Sequence, residues 1–206
     1  MSNLDKLITY FEKFPGIGAR QARRFAFHIL TLDEADVKDI ANLIDNLKGT
    51  VAECQSCHKF FSKNGGSAEN CKTCSDHNRD RTKLMIVDRD SDITAVERSG
   101  TYDGLYFVVG GTIPLLDKKD TNKLRSGSLK SLVEHRLNND ELAEIILAFA
   151  VNPDGENTAR YVESLLKEII EANSLKVTQL GRGLSTGSEL EYADPETLKN
   201  ALQNRH

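Results

Sequence analysis

The four cysteines of this 206-residue chain form two Cys-x-x-Cys pairs, Cys54/Cys57 and Cys71/Cys74, and this spacing restricts the possible folds most strongly. Each pair can turn both sulfurs toward one centre, and two pairs supply the four thiolates of a structural Zn²⁺ site. Two disulfides or four free thiols are the alternatives, but a reducing cytosol disfavours disulfides. Four protein ligands leave no position for water, so the predicted metal is structural. His58, directly after Cys57, is poorly placed to replace a cysteine ligand.

The sequence Pro-Gly-Ile-Gly at 15–18 separates two amphipathic stretches with apolar residues at helical spacing, and a third such stretch begins near residue 33. We therefore expect three short helices in the first fifty residues. Gly16 and Gly18 permit a tight turn and the close approach of a phosphate to backbone N–H groups. Arg20 and Arg24 share one face of the second helix. This pattern favours binding to the DNA backbone without base readout; a packed helical hairpin with solvated arginines is the alternative.

The charge of the chain is unevenly distributed around a formal net value of −4. Residues 1–30 hold five lysines and arginines against two acids, and residues 54–83 hold six against three. Two basic segments on an acidic chain fit a local phosphate-binding face, although a mixed solvated surface is also possible. No apolar run reaches the ~18 residues of a membrane helix, and the N-terminus does not resemble a secretory signal. We expect a cytoplasmic protein with no membrane contact.

After residue 83, short apolar runs alternate with helical patterns. The predicted strands are Leu84–Val87, Leu105–Val109, Glu144–Ala150 and Leu175–Leu180, and the predicted intervening helices run from a cap at Ser91 to about Ser99, from 128 to 137 and from 157 to 171. Strands without polar alternation, separated by helices, indicate a mostly parallel sheet covered on both faces. Asp194 and Pro195 should open a last helix as its N-cap and first residue. The fold class is therefore α/β with several domains.

Acidic residues follow two of the predicted strands. Asp88, Asp90 and Asp92 come after the first strand, and Asp154 and Glu156 come after the third. Ligands of open α/β sheets bind beyond the carboxyl ends of strands, so these acids could hold Mg²⁺ for phosphodiester chemistry. Alternatively, they cap helices and line a solvated rim. The sequence contains no phosphate-binding loop of the G-x-x-x-x-G-K-[ST] type, which disfavours a nucleotide site of that class.

Several segments, in this order, resemble the bacterial RecR family of recombination mediators. They are F-P-G-I-G-A-R-Q-A-R-R-F-A-F-H-I-L at 14–30, C-Q-S-C, C-K-T-C, R-D-R at 79–81, Y-D-G-L-Y-F-V-V-G-G at 102–111, G-E-N-T-A-R-Y at 155–161 and L-E-Y-A-D-P-E-T-L at 190–198. The resemblance implies a helix-hairpin-helix domain at 1–53, a four-cysteine zinc finger at 54–83, a Toprim domain at 84–180 and a C-terminal segment at 181–206. That last segment would combine a strand-like, Walker B-like L-E-Y-A-D with a final helix.

The resemblance further implies a non-catalytic protein of DNA repair. Members of the family assemble as homo-oligomers, typically ring-like tetramers, and act with RecO and RecF to load RecA on single-stranded or gapped DNA. Gly16, Gly18, Arg20 and Arg24 match the family's DNA-binding hairpin, and the four cysteines match its zinc ligands. Asp154 and Glu156 fall in the region implicated in partner contact. We expect nucleoid association in the cytoplasm.

The sequence departs from catalytic Toprim domains at the positions that bind metal. Those domains use a glutamate after the first strand and Asp-x-Asp after the third, where this chain has Asp88, Ala150 and Asn152. Alanine offers no ligand and asparagine no charge, which argues against the main alternative, a Mg²⁺-dependent nuclease or topoisomerase-like enzyme. A zinc-ribbon scaffold that binds only protein is a third possibility.

Overall fold

The computed structural model describes residues 1–63, 68–114, 124–139, 142–181, 183–184, 187 and 189–203. The chain divides into two compact units, Met1–Ala52 and Glu53–His206. Each unit has its own architecture.

The first unit consists of three helices, α1 (Asn3–Glu12), α2 (Ala19–Ile29) and α3 (Glu34–Thr50), as the apolar spacing predicts. Capping fixes the start of α1, because the Ser2 hydroxyl accepts the Asp5 N–H and the Asp5 carboxylate accepts the Ser2 N–H. Aromatic rings join α1 to α2: the Phe11 ring lies 6.0 Å from the Phe25 ring in an edge-to-face arrangement.

The cysteine segment begins the second unit. Strands β1 (Val51–Glu53) and β2 (Phe60–Ser62) form a two-stranded sheet around the first cysteine pair, and the second pair lies at the short helix α4 (Lys72–Ser75).

The predicted Ser91 cap is wrong. The helix that it was expected to start is α5 (Asp90–Ser99), and Ser91 lies inside its first turn. The Asp92 carboxylate accepts the Arg89 N–H, which fixes the start of α5 two residues earlier.

A four-stranded parallel sheet forms the centre of the second unit. Its strands are β3 (Asp80–Val87), β4 (Gly104–Val108), β5 (Glu144–Ala148) and β6 (Lys176–Gln179), in the order β4-β3-β5-β6. The connecting helices are α5, α6 (Ser126–Asn139) and α7 (Pro153–Asn173). The predicted parallel sheet is therefore confirmed. The first strand begins earlier than expected, because Asp80 already pairs with Gly104 across a local irregularity.

Helices cover both faces of the sheet. On one face, Leu84, Ile86 and Ile145 pack in a core with residues of α6 and α7, and on the other Met85 and Val87 pack with Ile93 of α5. This explains why the strand sequences lack polar alternation: consecutive side chains point to opposite faces, and both faces are buried.

The third strand and the helix after it differ in length from the predictions. Strand β5 ends at Ala148, and α7 begins at Pro153, four residues before the expected start. The Asn152 side chain accepts the Gly155 N–H at 2.8 Å, and proline occupies the first helical position. Gly155 fits here because a Cβ would lie 2.0 Å from the Ala150 carbonyl oxygen.

The C-terminal segment ends in a helix, α8 (Pro195–Gln203), and the predicted cap is confirmed by the 2.9 Å hydrogen bond that Thr197 N–H donates to Asp194 Oδ1. The strand implied for L-E-Y-A-D is instead a 3₁₀ turn at Leu190–Tyr192. The Tyr192 N–H donates to the Glu189 carbonyl, so its backbone hydrogen bond is local and not part of a sheet ladder.

Candidate nucleic-acid interface and metal centre

The turn between α1 and α2 has the backbone geometry that its glycines permit. Gly16 has φ +77°, a left-handed conformation that favours glycine. The turn closes where Ile17 N–H donates to the Phe14 carbonyl at 3.0 Å. Gly18 is the N-cap of α2, with no side chain to occupy the first-turn N–H groups, and its carbonyl accepts the N–H groups of Gln21 and Ala22. The first N–H groups of α2 therefore face outward without a side-chain cap.

The first turn of α2 lacks the negative charge found in comparable helices of this chain. Helices α1, α3, α5 and α7 each carry Asp or Glu in the first turn, whereas α2, like α6, carries none, and α2 has Arg20 there. An arginine next to the positive end of the helix dipole is unfavourable by itself. A bound anion would remove this repulsion, which makes the start of α2 suited to hold a phosphate.

Three arginines extend this positive surface along α2. Arg20, Arg23 and Arg24 are all exposed, whereas Ala22 and Ala26 on the opposite side of the helix are buried. Within the part of the chain that the structure describes, none of the three arginines forms an ion pair, and Arg24 makes only a long 3.4 Å hydrogen bond to Gln21. Their guanidinium groups are thus available to an external anion. The structure brings the predicted Gly16, Gly18, Arg20 and Arg24 together on one hairpin.

The four cysteine sulfurs converge on one centre. The sulfurs of Cys54, Cys57, Cys71 and Cys74 all lie within 4.8 Å of one another, and three of these residues are buried. The Cys57 and Cys71 sulfurs are 3.7 Å apart, too far for a disulfide. Four sulfurs at about 2.3 Å from a tetrahedral Zn²⁺ would be about 3.8 Å apart. The donor set and its spacing therefore fit a four-thiolate metal site, and the disulfide alternative is excluded for this arrangement.

The surroundings of this cluster position the sulfurs. The Cys54 sulfur accepts the Cys71 N–H at 3.3 Å, and the Asn70 side-chain oxygen accepts the Ser56 N–H and hydroxyl. Contact with the Cys57 thiol lowers the pKa of Cys54, and contact with the Cys54 sulfur raises the pKa of Cys57. A divalent cation at the centre would compensate the crowded negative charge and favour all four thiolates.

His58 lies outside the cluster, in agreement with its omission from the ligand set. Its Nδ1 is 2.7 Å from Glu53 Oε1, and its ring meets the Phe107 ring edge to face. Glu53 also pairs with Arg125 Nε at 3.0 Å. The Cys57 carbonyl accepts the Val108 N–H of β4 at 2.9 Å. These contacts attach the cysteine segment to the parallel sheet.

The acids at the strand ends do not assemble into a metal site. Asp88 is only 5% exposed and pairs with Arg89, and Asp90 accepts the Phe60 N–H at 2.7 Å. Desolvation, with contact to Asp88, raises the pKa of Asp92 to about 6. Apart from the four cysteines, the described residues contain no group of three or more His, Cys, Asp or Glu close enough to hold a metal ion.

The positions after β5 have structural roles in α7. Asn152 caps the helix and Ala150 contacts Gly155, so neither supplies a metal ligand. Asp154 and Glu156 lie in the first turn of α7, where their charge stabilises the helix, and Glu156 contacts Arg160 at 3.3 Å.

One residue of the hairpin surface, Phe27, is not among the residues predicted from the sequence. Phe27 is exposed and lies on the same side of α2 as the arginines. Phe27 lies seven residues after Arg20 and three after Arg24, and this spacing in the sequence already predicts that the three residues share one face of the helix.

No helix among the described residues has the length and apolar character needed to cross a membrane.

Comparison with known proteins assigns most of the chain to described families. Models described as "RecR, helix-hairpin-helix", "Toprim domain" and "RecR, C-terminal" match residues 4–48, 82–180 and 183–206, respectively. A protein named "Recombination protein RecR" from Staphylococcus aureus (strain MRSA252) is 40% identical over 204 residues, which cover 98% of this chain and 96% of that protein. Proteins of the same name from Lactobacillus helveticus (strain DPC 4571) and Lactobacillus acidophilus are each 37% identical over 199 residues, or 97% of this chain and 94% of each relative.

Proposed function

Because the chain belongs to the RecR family of recombination proteins, with a role in recombination repair, we propose that it is a non-catalytic mediator that binds DNA. In this proposal it acts with RecO- and RecF-type partners in the cytoplasm, at the nucleoid, to promote RecA loading on single-stranded or gapped DNA. The proposed domains are 1–53 for the hairpin, 54–83 for the zinc finger, 84–180 for the Toprim domain and 181–206 for the C-terminal segment.

The observation that carries this proposal is the set of three exposed arginines, which form no ion pair with any residue that the structure describes, beside an uncapped helix start. Gly16 and Gly18 would let a phosphate approach the backbone, while Arg20 and Arg24 would contact neighbouring phosphates. Contacts of this kind fix the position of DNA without reading its bases, so binding should not depend on sequence.

A single hairpin offers few phosphate contacts, and we therefore propose that the functional form is a homo-oligomer. The proposed arrangement is a ring-like tetramer. Several hairpins on one assembly would bind one DNA molecule with a high effective concentration. Asp154 and Glu156, at the start of α7, are the proposed contacts for a protein partner with a basic surface.

The metal proposed for the four-cysteine centre is one Zn²⁺ per chain. Thiolate ligands and a closed tetrahedral arrangement suit Zn²⁺, which would stabilise the loop between the two cysteine pairs. This centre supports the fold next to the sheet and has no open position at which a substrate could bind.

A RecA-loading experiment tests the proposed role. RecA would be added to gapped DNA coated with single-strand-binding protein, and its DNA-dependent ATP hydrolysis would be followed with a RecO-type partner present. We expect this chain to shorten the lag, and Arg20→Ala combined with Arg24→Ala to abolish that effect. A matched variant, Lys38→Ala with Lys48→Ala in α3, should retain it. Equal lags with and without the protein would contradict the proposal, as would Mg²⁺-dependent cleavage of the DNA by the protein alone.

A further inference from the structure

Two phenylalanines of α2 differ in their ring contacts. Phe25 is 45% exposed and packs its ring against Phe11, whereas Phe27, two residues later, is 54% exposed. In the described part of the chain, Phe27 makes no ring–ring or cation–π contact. Its exposure therefore needs an explanation outside the packing of the hairpin.

Phe27 lies on the same helix face as the three arginines. Arg20, Arg23, Arg24 and Phe27 line one shallow groove along α2, on the side opposite the buried Ala22. The positions 20, 23, 24 and 27 follow the three- and four-residue spacing of one helix face. The ring thus lies in the same groove as three arginines and is exposed to solvent.

We propose that Phe27 is a stacking platform for an unpaired base, so that this face of α2 prefers single-stranded over double-stranded DNA. The inference rests on the proposed function, because the same arginines would hold the phosphates on either side of the base. Proteins that bind single strands without sequence preference combine a basic groove with exposed aromatic rings. A base within a duplex is already stacked and cannot reach the ring, whereas a single strand can turn a base outward.

The charge of the face selects a nucleic acid as the occupant. Residues 1–30 hold five lysines and arginines against two acids, and the three arginines beside Phe27 have no intramolecular ion pair in the described residues. A second copy of this chain that packed through the same face would place its own three arginines against these, and like charges would repel. A polyanion that also offers a flat aromatic surface complements both features.

The experiment compares two ligands of equal charge, a single-stranded oligothymidylate and an abasic oligomer of the same length, by fluorescence anisotropy with the full-length protein. We expect the wild-type protein to prefer the thymidylate by about 5- to 100-fold. Phe27→Leu should lose that preference while its affinity for the abasic oligomer and for duplex DNA stays within about twofold. Arg20→Ala with Arg24→Ala should weaken binding to both oligomers and to duplex DNA. Unchanged binding of this double variant would contradict the proposed role of the arginines without affecting the test of Phe27.

A unique tryptophan provides a direct readout of stacking, because the chain contains no tryptophan. Phe27→Trp should retain the preference for the thymidylate, and its fluorescence should be quenched by the thymidylate but not by the abasic oligomer. Phe60→Trp, at a position in β2 with 53% exposure, is the matched control and should not be quenched.

Three results would overturn the proposal. They are an unchanged preference in Phe27→Leu, equal quenching of the two tryptophan reporters, and a lower native mass of Phe27→Leu, which would place Phe27 in a contact between copies of the chain.

Discussion

Replacing Arg20 by glutamate should stabilise the first unit and weaken DNA binding at the same time. Arg20 is the second residue of α2, next to N–H groups that no side chain caps and in a first turn without acidic residues. The change removes a repulsive charge at the positive end of the helix dipole and adds an attractive one. Each effect contributes about 0.3–1 kcal/mol at low ionic strength, so the free energy of unfolding should rise by about 1 kcal/mol. In a chain of 206 residues that unfolds cooperatively, this raises Tm by about 2–4 °C.

The same substitution removes a charge-assisted contact to phosphate, typically about 1.5–3 kcal/mol, and adds repulsion. We therefore expect DNA affinity to fall at least about tenfold. Far-UV circular dichroism melts at low salt and fluorescence anisotropy measure the two effects, and the stability gain should shrink at high salt. Lys38→Glu is the control, since it makes the same charge change beside Glu34 in α3 and should lower stability slightly. Reduced stability of Arg20→Glu, or unchanged DNA affinity, would refute this reasoning.

The remaining predictions concern the metal, the acidic strand end and the start of α7. Cys71→Ser, or a strong chelator, should lower Tm and reduce the zinc content from about one per chain, measured by mass spectrometry. If the wild-type protein had the same Tm before and after removal of its metal, this prediction would be refuted. The ionised form of Asp92 is disfavoured in the fold, because burial and Asp88 raise its pKa to about 6. The destabilisation by Asp92 thus grows as pH rises from about 4 through 6, and Asp92→Asn should raise Tm at pH 7.5 but not at pH 4. Gly155→Ala should destabilise by about 3 kcal/mol in urea unfolding because its Cβ meets a carbonyl oxygen. Gly127→Ala in α6, with open space around its Cβ, is the control and should gain about 0.5 kcal/mol.

The helices and strands could be predicted because their signals are local. Apolar spacing locates α1 to α3, and continuous apolar runs locate the four strands, since the pattern of buried side chains within each element can be recognised in its own sequence. The order β4-β3-β5-β6 and the early start of β3 depend on pairing between distant segments, such as Asp80 with Gly104. The cap of α5 was misplaced because the Asp92 carboxylate accepts the Arg89 N–H, and because Asp90 accepts the N–H of the distant Phe60, a contact that the local sequence does not indicate.

The candidate sites were predictable to different degrees. Two Cys-x-x-Cys pairs indicate a common centre for the sulfurs, because the spacing itself constrains the turns. The shared face of Arg20 and Arg24 follows from helix geometry. The sequence could not indicate whether those arginines have intramolecular partners, nor that Phe27 faces solvent while Phe25 packs against Phe11. Those properties depend on which side of α2 the core of the first unit covers.

The salt dependence of DNA binding tests the proposed role of the hairpin most directly. On single-stranded DNA, each phosphate contact contributes about 0.7 to the slope of log K against log salt concentration. Arg20→Ala with Arg24→Ala should therefore reduce the magnitude of the slope by about 1.4 for each hairpin engaged, equally on different sequences. Lys38→Ala with Lys48→Ala should leave the slope unchanged. An unaltered slope in the double arginine variant would contradict the assignment of this hairpin as the DNA-binding surface.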